Sequence, residues 1–337
     1  MLNVLVNLSN SNKIELLTME LLNDEEKLEK IDHWLRVMNR PQGWHYDMDI
    51  IWLLKGLEDA GINRGATILD AGAGMGVTQF ILAASGYNVI SLDFTPRAFP
   101  SLARGIFDIK IEEQDNLDYK HNYMSYIKYG DGQYIKEKSN PIKVCKKAFL
   151  ALIKGPGYVM SRLNVRFRKI RNKYFFNVLE KTNDHSDFGN IRFIRAPFHK
   201  IPLKDQEVDA LVSVSAIEHA DKKLMENNIL EMKRVVKKDR PLFITTSATS
   251  EKEDIFLDEY QTWCFTENSM KNFTGGITES IFDYNIAEQN ILDSELWRKR
   301  IDPYYADNPS SIFFKRKVKH LPYLPVGIKI ISDWVNE

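Results

Sequence analysis

Residues 66–94, ATILDAGAGMGVTQFILAASGYNVISLDF, restrict the fold more than any other stretch of the chain. A short apolar run ends in Asp70, and glycines at 72, 74 and 76 make a turn. A helical pattern follows over VTQFILAAS, and after Gly86 a second apolar run ends in Asp93. Strand, helix and strand within about 30 residues is the size of a βαβ unit. The expected architecture is therefore α/β, a parallel sheet with helices on both of its faces.

The same pattern resumes near residue 191. IRFIRAP and VDALVSVSA read as strands, EHADKKLMENNILEMKRVV as a helix and RPLFITTSA as a further strand. Ahead of the unit, residues 13–40 have a charged, helical pattern. MDIIWLLKGLEDAG puts Ile50, Ile51, Leu53, Leu54 and Leu57 on one side before Gly61, a C′ glycine. In the tail, ESIFDYNI and SSIFFKRKV read as strand segments on either side of a helical NILDSELWRKR. A short crossover would suffice between Pro96 and Asn190, yet far more chain lies there, so an insertion is expected. The predicted organisation is thus 1–97 as N-terminal helices and the first half of the sheet domain, 98–189 as a mainly helical basic insertion, and 190–337 as the second half with C-terminal elements on the substrate side.

The 337 residues are 44% apolar and 27% charged, which suits one large domain with insertions. Lys+Arg and Asp+Glu stand at 46 each, so the overall charge argues for neither nucleic acid nor a membrane as partner. The opening MLNVLVNLSNSNKIELL lacks a basic leader, and nowhere do 18 apolar residues follow one another, which predicts a soluble cytoplasmic protein. Cys145 and Cys264 are far apart and form no Cys-x-x-Cys pair, so the sequence indicates neither a disulfide framework nor a metal site.

The chemistry starts at the glycine turn. A dinucleotide fingerprint is G-x-G-x-x-G, whereas this spacing is G-x-G-x-G with Val77 in the last place. A carboxylate at Asp70, two residues before the first glycine, would repel a pyrophosphate. It would attract a cation, and both residues speak against an NAD-dependent oxidoreductase. S-adenosylmethionine is a cationic nucleoside without a phosphate, and Asp93, about 20 residues beyond the turn, suits its ribose diol.

With these residues the sequence resembles the class I S-adenosylmethionine-dependent methyltransferases. IPLKDQEVDALVSVSAIEHA and LEMKRVVKKDRPLFITT look like that family's approach to strand four, its Glu-His turn and its next helix and strand. The resemblance covers roughly residues 44–97 and 190–250. It implies a Rossmann-like, doubly wound, mostly parallel sheet with a helical insertion between strands two and three. It also implies that Asp70, Gly72, Gly74 and Gly76 cradle the methionine moiety of S-adenosylmethionine, that Asp93 holds the ribose, and that Phe94 lies against the adenine. Many relatives carry an acidic residue after strand three, where this chain has Ala196, Pro197 and Phe198; stacking on Phe198 is expected to hold the adenine instead. Ser215, at the end of strand four, and Tyr46, in the N-terminal segment, complete the expected cofactor site.

Transfer to a hydroxyl calls for a base. His219 follows strand four at the family's active-site mouth and is the leading candidate, while His45 in GWHYDMD is the second. The plain alternative for each is packing or capping. An Asn/Asp-Pro-Pro-aromatic turn, a Pro-Cys nucleophile and a paired-glutamate loop are all missing, which argues against base-amine, base-carbon and protein-arginine acceptors.

Residues 142–181 hold eleven Lys or Arg against the single acid Glu180. Leu163, Phe167, Ile170, Tyr174 and Val178 recur there at helical spacing, giving an amphipathic helix with a basic face. A lid or homodimer arm with solvated charges is the plain reading. The sharper ones are contact with an anionic acceptor and attachment to the inner face of a membrane where a lipid-linked acceptor resides. The expected activity is O-methylation of a sugar, glycan or lipid-linked saccharide, in the manner of polysaccharide-biosynthesis enzymes. A small-molecule, natural-product O- or N-methyltransferase and a non-catalytic cofactor-binding scaffold are the alternatives.

Overall fold

The computed structural model describes residues 11–38, 40, 43–94, 99, 101–112, 185–277, 279–309 and 311–334. The basic run 142–181, with the helix expected in it, lies outside these residues.

In chain order the elements are β1 (Lys13–Leu16), α1 (Glu25–Met38), α2 (Tyr46–Asp59), β2 (Thr67–Ala71), α3 (Thr78–Ala84), β3 (Asn88–Asp93), α4 (Ser101–Ile106) and β4 (Ile109–Glu112). After residue 184 come β5 (Ile191–Arg195), β6 (Ala210–Val214), α5 (Met225–Val235), β7 (Pro241–Ala248), β8 (Ile255–Leu257), β9 (Thr262–Cys264) and α6 (Glu267–Phe273). The last are β10 (Glu279–Ile281), α7 (Tyr284–Asp293), α8 (Glu295–Arg300), α9 (Pro303–Ala306) and β11 (Leu324–Ile331). Nine of these strands form one sheet in the order β10-β1-β11-β7-β6-β2-β3-β5-β4, and β8 pairs with β9 in a separate hairpin. Within the sheet only β11 runs against its neighbours, β7 and β1. The fold is therefore the expected Rossmann-like, mostly parallel α/β sheet.

The βαβ unit forms where the sequence places it, because β2 and β3 are buried almost throughout and read as continuous apolar runs. On α2 the residues Ile50, Ile51, Leu53, Leu54 and Leu57 are all at most 5% exposed. Burying five such side chains contributes on the order of 10 kcal/mol before chain entropy is set against it. The helix ends where Gly61 takes φ +65°, the left-handed conformation expected of a C′ glycine.

Several elements differ from the sequence reading. Residues 13–16 are not helical: β1 sits between β11 and β10, bonded to partners more than 250 residues away. The stretch 98–189 starts with α4 and β4, and β4 extends the sheet beside β5. ESIFDYNI is a strand only to Ile281, since the Asp283 carboxylate caps the backbone N–H of Ile286 and starts α7. SSIFFKRKV is no strand: Lys315 and Arg316 take φ +55° and +58°, which extended pairing does not allow. The helix expected from Glu218 begins at Met225, after two short 3₁₀ turns, the second capped by Asp221. The antiparallel strand β11 was not expected, because LPVGIKII carries a proline and a glycine.

The C-terminal helices hold the N-terminal segment in place. Trp297 Nε1 on α8 donates to the Trp44 carbonyl at 2.9 Å. Arg300 donates to Asp47 Oδ2 at 2.5 Å and to Asp32 Oδ1 at 2.8 Å, joining α8 to α1 and α2. Replacing Arg300 with alanine leaves the buried Asp47 carboxylate without this guanidinium and is expected to cost about 3 kcal/mol of stability. Urea denaturation tests this, and an unchanged midpoint would refute it.

Candidate active site

β6 and β3 lie on opposite sides of β2, so the strand order reverses at β2. In such sheets ligands bind in the crevice at the carboxyl ends of the strands beside that point. A cavity of about 420 Å³ opens there, bordered by the residues that follow β2, β3, β5 and β6 and by the start of α2.

The glycine turn forms one wall. Gly72 takes φ +77° and Gly74 φ +46°, and the backbone N–H groups of Gly72 and Ala73 both donate to the Leu92 carbonyl, at 2.8 and 3.1 Å. A Cβ on Gly72 would sit 2.4 Å from the Ala216 Cβ and 2.8 Å from the Phe198 Cζ. Glycine is thus needed twice, for the backbone conformation and for the close approach of the loops after β5 and β6. Gly76 has no left-handed φ and is less restricted, with its Cβ position 3.2 Å from the Ala73 carbonyl. The second aspartate also reaches the turn, since Asp93 Oδ2 accepts the Gly74 N–H at 2.8 Å. Behind them Ser91 donates to the Gln79 side chain at 2.9 Å and Gln79 to the Gly76 carbonyl at 3.0 Å, which fixes α3 against β3 and the turn.

The structure brings Asp70, Gly72, Gly74, Gly76, Asp93, Phe94, Phe198, Ser215, Tyr46 and His219 to this one cavity. Asp70 and Asp93 are buried, at 1% and 7% exposure, and Asp221 adds a third carboxylate to the lining. Among the described lining residues none is Lys or Arg, so the donor set suits a cation that carries a diol and opposes a pyrophosphate. The sequence reading missed His199, Thr78, Asn228 and Leu35, which line the cavity as well. Thr78 and His199 adjoin residues the sequence does mark, whereas only the fold reveals Leu35 and Asn228, which come from α1 and α5, outside any motif.

The two histidines differ in setting. His219 is exposed at the cavity, and its Nδ1 lies 2.8 Å from the Gln261 carbonyl in the β8–β9 hairpin. A carbonyl only accepts, so Nδ1 carries a proton, and in the neutral form of the ring Nε2 is the acceptor. The hairpin is anchored beside it, as Lys222 pairs with Asp254 at 2.6 Å and lies over the Trp263 ring. His45 is 3% exposed and does not line the cavity. Its Nδ1 meets Asp49 Oδ2 at 2.7 Å and its Nε2 meets the Tyr323 hydroxyl at 3.3 Å. Both of its ring nitrogens are engaged inside the protein.

Glu218, next to His219 in the chain, is buried and accepts the Thr246 hydroxyl at 3.1 Å. Burial pushes its carboxyl above the ordinary carboxylate range, against the lowering influence of His219 and His45 and with the Asp49 charge adding to the rise. Burial likewise raises the Tyr46 hydroxyl, with the neighbouring Glu218 contributing.

The family model described as "Methyltransferase domain" matches residues 155–244, which include β5, β6 and α5. No curated protein matches the sequence. Among solved structures, a candidate sarcosine dimethylglycine methyltransferase from Galdieria sulphuraria is similar at 14% identity, over 90% of this chain and 98% of that one, with a TM-score of 0.44. The [4+2]-cyclase SpnF is similar at 10% identity, over 91% and 94%, with a TM-score of 0.44. A Burkholderia thailandensis 1,6-didemethyltoxoflavin-N1-methyltransferase, solved with 1,6-didemethyltoxoflavin and S-adenosylhomocysteine, is similar at 12% identity, over 75% and 74%, with a TM-score of 0.36.

Proposed function

We propose that the chain is a class I S-adenosylmethionine-dependent methyltransferase, in line with the methyltransferase-domain match over 155–244, that it methylates a hydroxyl group and that His219 is the base that takes the hydroxyl proton. The cofactor, S-adenosylmethionine, supplies an activated methyl group for in-line displacement. The observation that carries the reading is the Nδ1 contact of His219 with the Gln261 carbonyl at 2.8 Å, which leaves Nε2 as an acceptor at the cavity.

In this reading Asp70 and the turn at Gly72, Gly74 and Gly76 hold the cofactor's amino-acid end. Asp93 accepts from the ribose diol through the lone pairs left after its bond to the Gly74 N–H. Phe94 and Phe198 face the adenine, with Phe198 packed close to Gly72. Tyr46 and Ser215 close the cavity on the side of α2 and β6. His45, enclosed by Asp49 and Tyr323, orders the segment that carries Tyr46 and is not the base.

The acceptor class we propose is a saccharide, either free or lipid-linked. Eleven basic residues against one acid in 142–181 support an anionic partner, such as a phosphorylated or acidic sugar or a membrane surface that carries the acceptor. A transfer assay tests both parts, using methyl-labelled S-adenosylmethionine with hydroxyl acceptors (sugars, sugar phosphates, polyprenol-linked saccharides) and their amino-sugar counterparts. Label on oxygen of the saccharides is expected. Label on nitrogen alone would remove the need for a base, and cofactor binding without transfer to any acceptor would favour a scaffold role.

A further inference from the structure

With His219 as the base, the buried carboxylate of Asp49 is left without a role in the reading above. Its exposure is 0%, although it lies on α2 directly between Met48 and Ile50 in an apolar stretch. Asp49 Oδ2 accepts from His45 Nδ1 at 2.7 Å and from the Ser215 hydroxyl at 3.2 Å. Among the described residues no hydrogen bond reaches Oδ1. A carboxylate buried in this way is costly unless positive charge faces it.

The geometry around it points to the cavity. Tyr46 and Ile50, on the same helix, line the cavity, and so does Ser215, whose hydroxyl reaches the carboxylate. Ser215 is held in an uncommon conformation, φ +44°, with its backbone N–H bonded to both the carbonyl and the hydroxyl of Thr245, at 3.1 and 3.2 Å. A strained residue kept in place by its surroundings, with its hydroxyl aimed at a buried carboxylate, puts a negative charge one hydroxyl behind the cavity wall.

The cofactor carries two positive charges, an ammonium and a sulfonium. Transfer breaks the sulfur–methyl bond, leaves the electron pair on sulfur and forms the new oxygen–methyl bond as the hydroxyl proton passes to a base at the cavity or to solvent. The ammonium persists in S-adenosylhomocysteine, whereas the sulfonium charge disappears. We propose that Asp49 is a positioning residue that acts through Ser215 on the sulfonium, so that the site prefers the cofactor's sulfonium to the uncharged thioether of its product. The inference rests on the cofactor named above and is independent of the base assigned to His219.

Calorimetric titration of the wild type, Asp49→Asn and Ser215→Ala with S-adenosylmethionine and with S-adenosylhomocysteine tests the proposal. Loss of a charge acting across a partly screened interior is expected to weaken S-adenosylmethionine binding about tenfold in Asp49→Asn, with S-adenosylhomocysteine changed by less than about twofold. Ser215→Ala should show a smaller loss with the same selectivity. An equal loss for both ligands, or no loss, in Asp49→Asn overturns the proposal. Thermal melts report whether each variant folds, and if Asp49→Asn does not, the same outcomes in Ser215→Ala decide. Failure of the wild type to bind S-adenosylmethionine would instead refute the cofactor, so the two failures are distinguishable.

Discussion

Gly72→Ala is expected to weaken S-adenosylmethionine binding by a factor of about 100, because two costs meet at this position. Alanine at φ +77° adds about 1–2 kcal/mol of backbone strain. The new methyl would also stand 2.4 Å from the Ala216 Cβ and 2.8 Å from the Phe198 ring, and overpacking of that kind costs about 1–3 kcal/mol. The turn relieves both only by moving away from the loops after β5 and β6, which takes the walls of the cavity apart. Gly65 provides the control: it also has a positive φ, +85°, but a Cβ there meets nothing within 4 Å and it does not line the cavity. Gly65→Ala should lower stability by about 1 kcal/mol and leave cofactor affinity unchanged. Calorimetry and thermal melts on the two variants separate strain from cavity shape, and a Gly72→Ala protein that binds the cofactor within twofold of wild type would refute the assignment of this turn.

The parts of the fold legible in the sequence are those whose signal is local. Asp70, the three glycines and Asp93 stand within one βαβ unit, so their spacing alone places them at the ends of two adjacent parallel strands. β1 has no comparable signal: KIEL alternates two charged residues with Ile14 and Leu16, and it becomes a strand only because β11 and β10 supply partners from the far end of the chain. β11 is hidden by Pro325 and Gly327, although the glycine is required where the Trp52 ring of α2 crosses the strand, 2.5 Å from the position of a Cβ.

The site divides along the same line. Every proposed cofactor residue borders the cavity, but the sequence does not disclose how those residues support one another. Asp93 reads as a ribose acceptor and also braces Gly74. Asp49 reads as one polar residue in an amphipathic helix, and its partner Ser215 is 166 positions away. His45 reads as an alternative base, yet the carboxylate four residues further along α2 and the hydroxyl of Tyr323 confine it. The histidine beside the recognisable Glu-His turn is the one left facing the cavity, and the reason lies in a hairpin carbonyl at residue 261 that no motif marks.

That carbonyl makes the second large effect specific. His219→Ala is expected to lower kcat by about 10²–10⁴, the range of a positioned general base, with cofactor affinity retained. The ring is bonded to the hairpin carbonyl rather than to the glycine turn, so calorimetry with S-adenosylmethionine should give the wild-type affinity within about twofold. His219→Gln sharpens the test: its amide can donate to the Gln261 carbonyl and fill similar space, yet it cannot take a proton. If the contact with the hairpin is only structural, His219→Gln restores kcat. If Nε2 is the base, His219→Gln stays as slow as His219→Ala while matching the wild type in thermal stability. A full return of kcat in His219→Gln would transfer the proton to another group at the cavity or to an acceptor that needs no base, and with it the case for a hydroxyl acceptor would fall.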